Sequence, residues 1–371
     1  MKVLSVGGTR PQFVKMAVLV KAIDEYNRLH PGSIEHRLIH TGQHSDPMMS
    51  AVFFEELGLP KPRLLEAVRT GTPGIQTAVM LASIEAELLE WPPDALITYG
   101  DTNSTIASAL AAAKLHIPVI HLEAGLRSFN RMMQEEINRV VTDHVSDLLL
   151  CPTHNAVEQL KREGLGHRAV FVGDVMLDAI GCFGVVGQLS SVQRDLGLGS
   201  QEYALVTIHR AETTDDPSRL AGILEALKKI DVPIIFPMHP RLRKQLAMTN
   251  NAGLFLGEHV HIVEPVGYLE MLALQQNARF IMTDSGGLQK EAYFMGVPCL
   301  TLRNETEWIE TLHGGWNLLV GNETQTILDA ARRLVQYGRG STSEPRKLVE
   351  FGEGKAGERS VDRILEMVRA A

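Results

Sequence analysis

The chain has 371 residues, 44% of them apolar and 22% charged, with a formal net charge of −8. That length favours two cores over one, because single cores stop growing near ~250–300 residues. The acidic balance carries no basic stripe, which argues against a nucleic-acid partner. An anionic ligand would have to be held by local positive groups.

The N-terminal run Met1–Gly7 is too short for a secretory signal. No stretch approaches the ~20 apolar residues of a membrane span, so no membrane partner is expected. The three scattered cysteines, Cys151, Cys182 and Cys299, form no CxxC pair. They read as buried thiols in a reducing compartment, and the expected location is cytoplasmic.

In chain order, strands are expected at Val3–Val6, Arg37–Ile39, Ala95–Thr98, Val119–His121, Leu148–Leu150 and Val170–Val172. Between them fall helical patterns at Gln12–Asn27, Gly74–Leu89, Thr105–Lys114 and Glu136–Ser146. This alternation is the signature of a parallel sheet covered on both faces. The rhythm restarts after Gly173. Strands follow at Ala204–Ile208, Ile234–Pro237, His261–Val263, Phe280–Thr283 and Cys299–Leu302, with helices at Ser218–Lys229, Leu269–Gln276, Leu288–Met295 and Thr324–Tyr337. The hinge is expected near the start of Gly173–Gly199. The segment Glu358–Val368 reads as an amphipathic helix. The fold class is α/β, two doubly wound units, with the ligand site in the cleft between them at the carboxyl ends of the strands.

Four motifs stand at such ends. Ser5-Val6-Gly7-Gly8-Thr9-Arg10-Pro11-Gln12-Phe13-Val14-Lys15 runs from a strand through Gly-Gly into a helix. Glycine amides and a helix N-terminus suit an anion, with Arg10 and Lys15 at hand; the segment equally fits a plain β–α turn with two solvated cations. Thr283-Asp284-Ser285-Gly286-Gly287-Leu288-Gln289-Lys290-Glu291 also opens a helix. Asp284 or Ser285 could simply cap it. Gly-Gly in a first helical turn is poor for a structural helix, which favours a phosphate cradle by Ser285, Gly286 and Gly287. Glu291, about one turn on, could accept ribose hydroxyls. The third group is acidic: Asp101 and Glu123 at strand ends, and Glu135-Glu136-Ile137-Asn138-Arg139 opening a helix. Carboxylates gathered on one rim suit general acid–base chemistry, although each alone could be a cap or surface charge. Glu136 and Arg139 could form a helix-surface pair. Fourth, Thr207-Ile208-His209-Arg210 places His209 on the second rim, where an imidazole can donate a proton or neutralise a leaving phosphate. The fourteen histidines show no tight ligand spacing, so no metal is expected.

Together these motifs resemble the non-hydrolysing UDP-N-acetylglucosamine 2-epimerase family. The resemblance runs from Gly8-Thr9-Arg10-Pro11 to Gly352-Glu353-Gly354-Lys355. It includes Thr41-Gly42-Gln43-His44, Gly100-Asp101-Thr102, His121-Leu122-Glu123-Ala124-Gly125-Leu126-Arg127, Glu135-Glu136-Ile137-Asn138-Arg139, His209-Arg210 and Thr283-Asp284-Ser285-Gly286-Gly287. It implies the GT-B architecture: an N-terminal Rossmann-like domain over residues 1–172, joined by the C-terminal helix 356–371, and a UDP-binding domain over 173–355. The implied reaction is reversible epimerisation at C2 of a UDP-2-acetamido sugar, by anti elimination of UDP and re-addition, with no cofactor. Asp101, Glu123 and Glu135 match the family's catalytic acids, and His209 the histidine that helps UDP leave. Arg10, Lys15, Arg127 and Arg210 match substrate contacts. Ser285, Gly286 and Gly287 match the diphosphate cradle, Glu291 the ribose carboxylate, and Val266 and Met271 the uracil pocket. A homodimer is implied as well.

Three positions depart from the common family pattern. Gln134 stands where Pro often precedes Glu-Glu, Gln12 where Arg-Pro-Glu is commoner, and Trp308 where many members carry a substrate-contacting Arg. These choices resemble the branch acting on UDP-2,3-diacetamido-2,3-dideoxyglucuronic acid. Gln43, Arg69, Gln76 and His239 match a second, activating UDP-GlcNAc site of some members, but the segment Arg69–Gly74 departs from it. The competing readings are a hydrolysing epimerase, a GT-B glycosyltransferase and a non-catalytic UDP-sugar sensor.

Overall fold

A computed structural model of the chain describes residues 1–43, 53–65, 71–184, 188–248 and 256–370. His44 and Arg69 lie outside them. The chain divides into two compact units, Met1–Phe183 with Leu348–Ala371, and Gly184–Lys347. Each is an α/β unit built on a parallel sheet, as the alternating pattern anticipates.

The first unit carries β1 (Lys2–Gly7), β2 (Glu35–His40), β3 (Arg63–Leu64), β4 (Ala95–Tyr99), β5 (Val119–Leu122), β6 (Leu148–Cys151) and β7 (Ala169–Phe171). Their order is β3-β2-β1-β4-β5-β6-β7. Val6 is in register with Ile39 on one side and Thr98 on the other, and Tyr99 with Leu122. The second unit carries β8 (Ala204–Thr207), β9 (Ile234–Pro237), β10 (Val260–Val263), β11 (Phe280–Thr283), β12 (Cys299–Thr301) and β13 (Asn317–Leu319), ordered β10-β9-β8-β11-β12-β13. Both sheets therefore reverse direction of growth once, between β1 and β4 and between β8 and β11. Such switch points are where ligands collect in open α/β sheets, because the flanking loops leave in opposite directions and open a crevice.

The central strands read as continuous apolar runs because helices cover both faces. All five residues of β4 are buried. The helix Arg10–Leu29 buries every residue from Gln12 to Val20. One side of it meets the sheet and the other meets the helices Val175–Phe183 and Ala356–Ala370. Gly357 permits that approach: a Cβ there would lie 2.9 Å from Val18 Cγ1. Full burial of a side chain such as Phe13 or Leu19 is worth roughly 1.5–3 kcal/mol, so this helix is a main anchor of the unit. In the second unit Val206, Ile234, Phe236, Phe280, Met282 and Leu300 share one core with Ile223, Leu227, Ile327 and Leu328.

The joins between units fall at Phe183/Gly184 and Lys347/Leu348, rather than after Val172 and Lys355. The cause is local. Helix Val175–Phe183 belongs with the first unit because the Gly357 amide donates to Asp178 Oδ2 (2.8 Å) and the Asp174 amide to Phe351 O (2.8 Å). Among the described residues no helix is long and apolar enough to cross a membrane.

Candidate active site

At the β1/β4 switch point the loop after β1 is built by Gln12. Its Oε1 accepts from the Gly8 and Thr9 amides (2.8 and 3.1 Å), and its Nε2 donates to Tyr99 O and Thr105 Oγ1 (2.8 and 3.0 Å). This fixes the β1 loop to the end of β4. Lys15, one turn along the same helix, then points its Nζ at Glu123, with which it forms a buried ion pair. Glu123 directly follows β5 and has φ +74. A non-glycine residue held there costs on the order of 1–3 kcal/mol and persists only where its surroundings over-determine it. Gly100, at φ +63 beside it, leaves the space: a Cβ would lie 3.1 Å from Lys15 Nζ and 3.4 Å from Glu123 Oε1.

Asp101 follows Gly100. Its Oδ2 accepts from Arg139 Nη2 and Nε (2.6 and 3.0 Å). Arg139 is fully buried and its Nη1 also meets Glu136 Oε2 at 3.0 Å. The Glu136–Arg139 pair is thus internal, not a helix-surface pair. Glu136 further accepts from the Ser128 and Phe129 amides (2.8 and 3.0 Å), so it braces the preceding loop. Glu135, its neighbour, is half-buried in the first turn of the helix Gln134–Val145. Arg10 lies 5.1 Å from the centroid of the Phe53 ring.

Arg127, read from the sequence as a substrate contact, is turned inward instead. Its guanidinium donates to Asp143 Oδ2 and Leu126 O (both 2.7 Å) and grips Glu163 with two bonds of 2.9 and 2.7 Å. Burial alone would push the Asp143 carboxyl up; His121 and Arg127 more than offset it and hold the group below its ordinary range. Gln43 is likewise occupied, accepting from Ser104 N and Oγ (2.9 and 2.6 Å), and Gln76 donates to Gly71 O at 3.2 Å.

At the β8/β11 switch point His209 and Asp284 meet. His209 Nδ1 lies 3.1 Å from Asp284 Oδ1, and the Asp284 carboxylate also accepts from the His209 and Arg210 amides (3.0 and 2.9 Å). Asp284 is fully buried while His209 keeps 38% of its side chain exposed, so the carboxylate orients an imidazole that remains accessible. His239 stacks obliquely beside it, ring centroids 5.6 Å apart. The cap of the next helix is Ser285, whose Oγ accepts from Leu288 N at 3.5 Å. Gly286 and Gly287 form the first turn. A Cβ on Gly286 would lie 2.5 Å from Glu307 Oε1, whereas one on Gly287 meets nothing closer than Ser285 Oγ at 3.8 Å. Glu307 is itself buried between Arg303 (3.0 Å) and Arg210 (3.3 Å). Glu291 is buried and accepts from Gln275 Nε2 at 2.7 Å. Val266 and Met271 pack on the edge of the unit's second core cluster, beside Leu274 and Ile281. Trp308, expected at the substrate, is only 3% exposed, and Lys290 Nζ sits 3.7 Å over its ring. It therefore supports the Gly286 helix from behind.

The Asp284 arrangement has a pH consequence. Burial would raise its carboxyl, yet His209 and the two amides hold it below the ordinary 3.8. An acid lowered on folding stabilises the fold above its unfolded pKa, and that contribution disappears as pH falls through the folded value. Urea unfolding of the Asp284→Asn variant is therefore expected to show lower stability than the parent at pH 7. The gap should close as pH falls below the ordinary 3.8 and through the lowered folded value. Parallel stability curves for the two proteins would contradict this.

With the geometry in hand, the comparisons decide the family. The family model described as UDP-N-acetylglucosamine 2-epimerase matches residues 27–365. The chain belongs to that family. Among relatives, UDP-2,3-diacetamido-2,3-dideoxy-D-glucuronate 2-epimerase of Pseudomonas aeruginosa is 48% identical over 339 residues, covering 90% of this chain and 92% of its own. Among solved structures, Methanocaldococcus jannaschii UDP-GlcNAc 2-epimerase in complex with UDP-GlcNAc and UDP superposes with a TM-score of 0.89 at 41% identity, over 99% of this chain and 100% of that one. The S. aureus MnaA–UDP co-structure superposes with a TM-score of 0.88 at 27% identity, over 100% and 97%.

For a 2-epimerase family member, the structure adds residues that the motif reading passed over. Asp284, for which the sequence offers a cap as one alternative, is the partner of His209. Arg139, which could have formed a helix-surface pair with Glu136, holds Asp101. Glu307 and Asp143 each meet a partner distant in sequence: Arg210 and Glu307 are 97 positions apart, and His121 and Asp143 are 22 apart.

Proposed function

We propose that the chain epimerises a UDP-2-acetamido sugar at C2 without hydrolysing it. The observation that carries this reading is the pair of carboxylates at the ends of neighbouring strands β4 and β5. Glu123 is held at φ +74 against Lys15, and Asp101 is clamped by Arg139. Each carboxylate is fixed in place by a buried cation, and two on one rim can serve the two faces of a sugar carbon.

In the forward direction a carboxylate takes the C2 proton. The C–H electron pair becomes the C1=C2 bond, and the C1–O bond to UDP breaks with its electrons leaving on the diphosphate. The reverse addition delivers UDP to C1 and a proton to the opposite face of C2. Glu123, Asp101 and Glu135 carry the proton transfers. In the second unit Ser285, Gly286 and Gly287 cradle the diphosphate, where backbone amides and the helix dipole meet developing negative charge. His209, oriented by Asp284, assists departure of UDP; Arg210 adds a cation. Glu291 serves the ribose, and Val266 with Met271 the uracil. Arg10 contributes to the sugar side, while Arg127 and Trp308 act only through the residues they support.

Product analysis tests the reading. Incubation with UDP-GlcNAc, and separately with UDP-2,3-diacetamido-2,3-dideoxyglucuronic acid, is expected to give a UDP-linked C2 epimer of one of them, with total UDP-sugar conserved. Free UDP rising in step with free sugar would mark a hydrolysing epimerase instead. Transfer of sugar to an added acceptor would mark a glycosyltransferase.

A further inference from the structure

Two of the three proposed proton-transfer carboxylates sit on turns that something must hold. Asp101 follows Gly100 at φ +63, and Glu123 is itself at φ +74. Beneath these turns lie two side chains that touch neither rim. His121 and Asp143 are completely buried. His121 Nε2 meets Gly100 O at 2.7 Å and its Nδ1 meets Asp143 Oδ1 at 2.6 Å. Asp143 Oδ2 accepts from the Gly125 amide (3.2 Å) and from Arg127 Nη1 (2.7 Å), and Arg127 is anchored in turn on Glu163. One carboxylate thus ties the turn after β4, through His121, to the loop after β5, through Gly125. Asp101 lies immediately beyond the first tie, and Glu123 lies between His121 and Gly125 in the chain.

We infer that the buried His121–Asp143 pair is a positioning device for the C2 chemistry, setting the relative placement of Asp101 and Glu123 without touching substrate. The inference rests on the epimerase reading above. A polar pair with no exposed surface can fix geometry, since supporting hydrogen bonds hold a reacting constellation within about 0.5 Å of its productive geometry.

Two substitutions separate positioning from plain stability. In His121→Gln the amide reaches the place of Nε2 and can still donate to Gly100 O. In His121→Asn the shorter amide reaches only Asp143. The expected result for His121→Asn is a loss of about 10²-fold in kcat, the scale of a small misplacement at a reacting centre. KM for the UDP-sugar and Kd for UDP should be unchanged, and His121→Gln should recover most of the lost kcat. Unchanged kcat in His121→Asn would overturn the inference, and so would equal loss in both variants accompanied by raised KM. Should His121→Asn fail to fold, Asp143→Asn provides the same test through a side chain of the same size: lowered kcat at constant KM supports the device, and unchanged kcat overturns it. If the parent enzyme exchanges the C2 proton and the variants do so equally fast, the positioning role fails alone. If the parent does not exchange it, the epimerase reading fails and the inference falls with it.

Discussion

Glu123→Gln is expected to lower kcat by about 10²–10⁴-fold, the span that a positioned acid or base contributes, while leaving UDP affinity intact. The substitution keeps size and hydrogen-bonding reach but removes the charge. It therefore also leaves Lys15 without its buried partner. Breaking a buried pair from one side typically costs about 3–5 kcal/mol, because the remaining charge stays uncompensated. A fall in kcat could then be blamed on a damaged fold. Adding Lys15→Met separates the two effects. The double variant should recover much of the lost melting temperature and none of the lost activity. Asp101→Asn is the companion test. Arg139 keeps a partner in Glu136, so its stability loss should be smaller while kcat falls by a similar factor. Loss of UDP affinity in either single variant would move these carboxylates from chemistry to binding. Calorimetric titration with UDP and initial rates on the same preparations decide between the outcomes.

Gly286→Ala should act on the other half of the reaction. A Cβ at that position would overlap Glu307 Oε1 at 2.5 Å. Glu307 has little freedom to yield, because Arg303 and Arg210 hold its two oxygens and all three are largely buried. Either the helix mouth shifts outward or the Glu307 pairs lengthen. Both displace the amides proposed to meet the diphosphate. UDP affinity is expected to fall by roughly 10–10²-fold, about 1.4–2.8 kcal/mol at 1.4 kcal/mol per decade. Gly287→Ala separates the routes: its Cβ meets no protein atom closer than 3.8 Å and the helix gains propensity from the change, so any loss of UDP affinity there comes from the diphosphate itself. UDP affinity equal to the parent's in both variants would show that the first helical turn is not the cradle.

The two-sheet architecture was legible because β4, β8 and β11 are continuous buried apolar runs bounded by turns and helical periods. The short edge strands β3 and β13, at Arg63–Leu64 and Asn317–Leu319, were not, since two or three residues carry no period. The helices His154–Arg162, Val175–Phe183 and Pro240–Met248 were also passed over. The middle one follows Gly173 at φ +96, and that glycine reads as the start of a linker. For the candidate site, strand-end position marks Asp101, Glu123 and His209 as rim residues, and each does lie just past the end of its strand. It could not distinguish a side chain facing the rim from one turned beneath it. Arg127 belongs to the second kind because Asp143 and Glu163, 16 and 36 residues away, converge on it only in the folded chain. Trp308 does so because Lys290 covers its face.

Elimination and re-addition require that the C2–H bond break and be remade from solvent. Turnover in D2O, with the UDP-sugar recovered and its C2 position read by NMR, tests this directly. One deuterium is expected at C2 of the epimerised product, with none at C3, C4 or C5. An epimer that retains its original C2 hydrogen throughout would contradict elimination and re-addition by way of Asp101, Glu123 and Glu135.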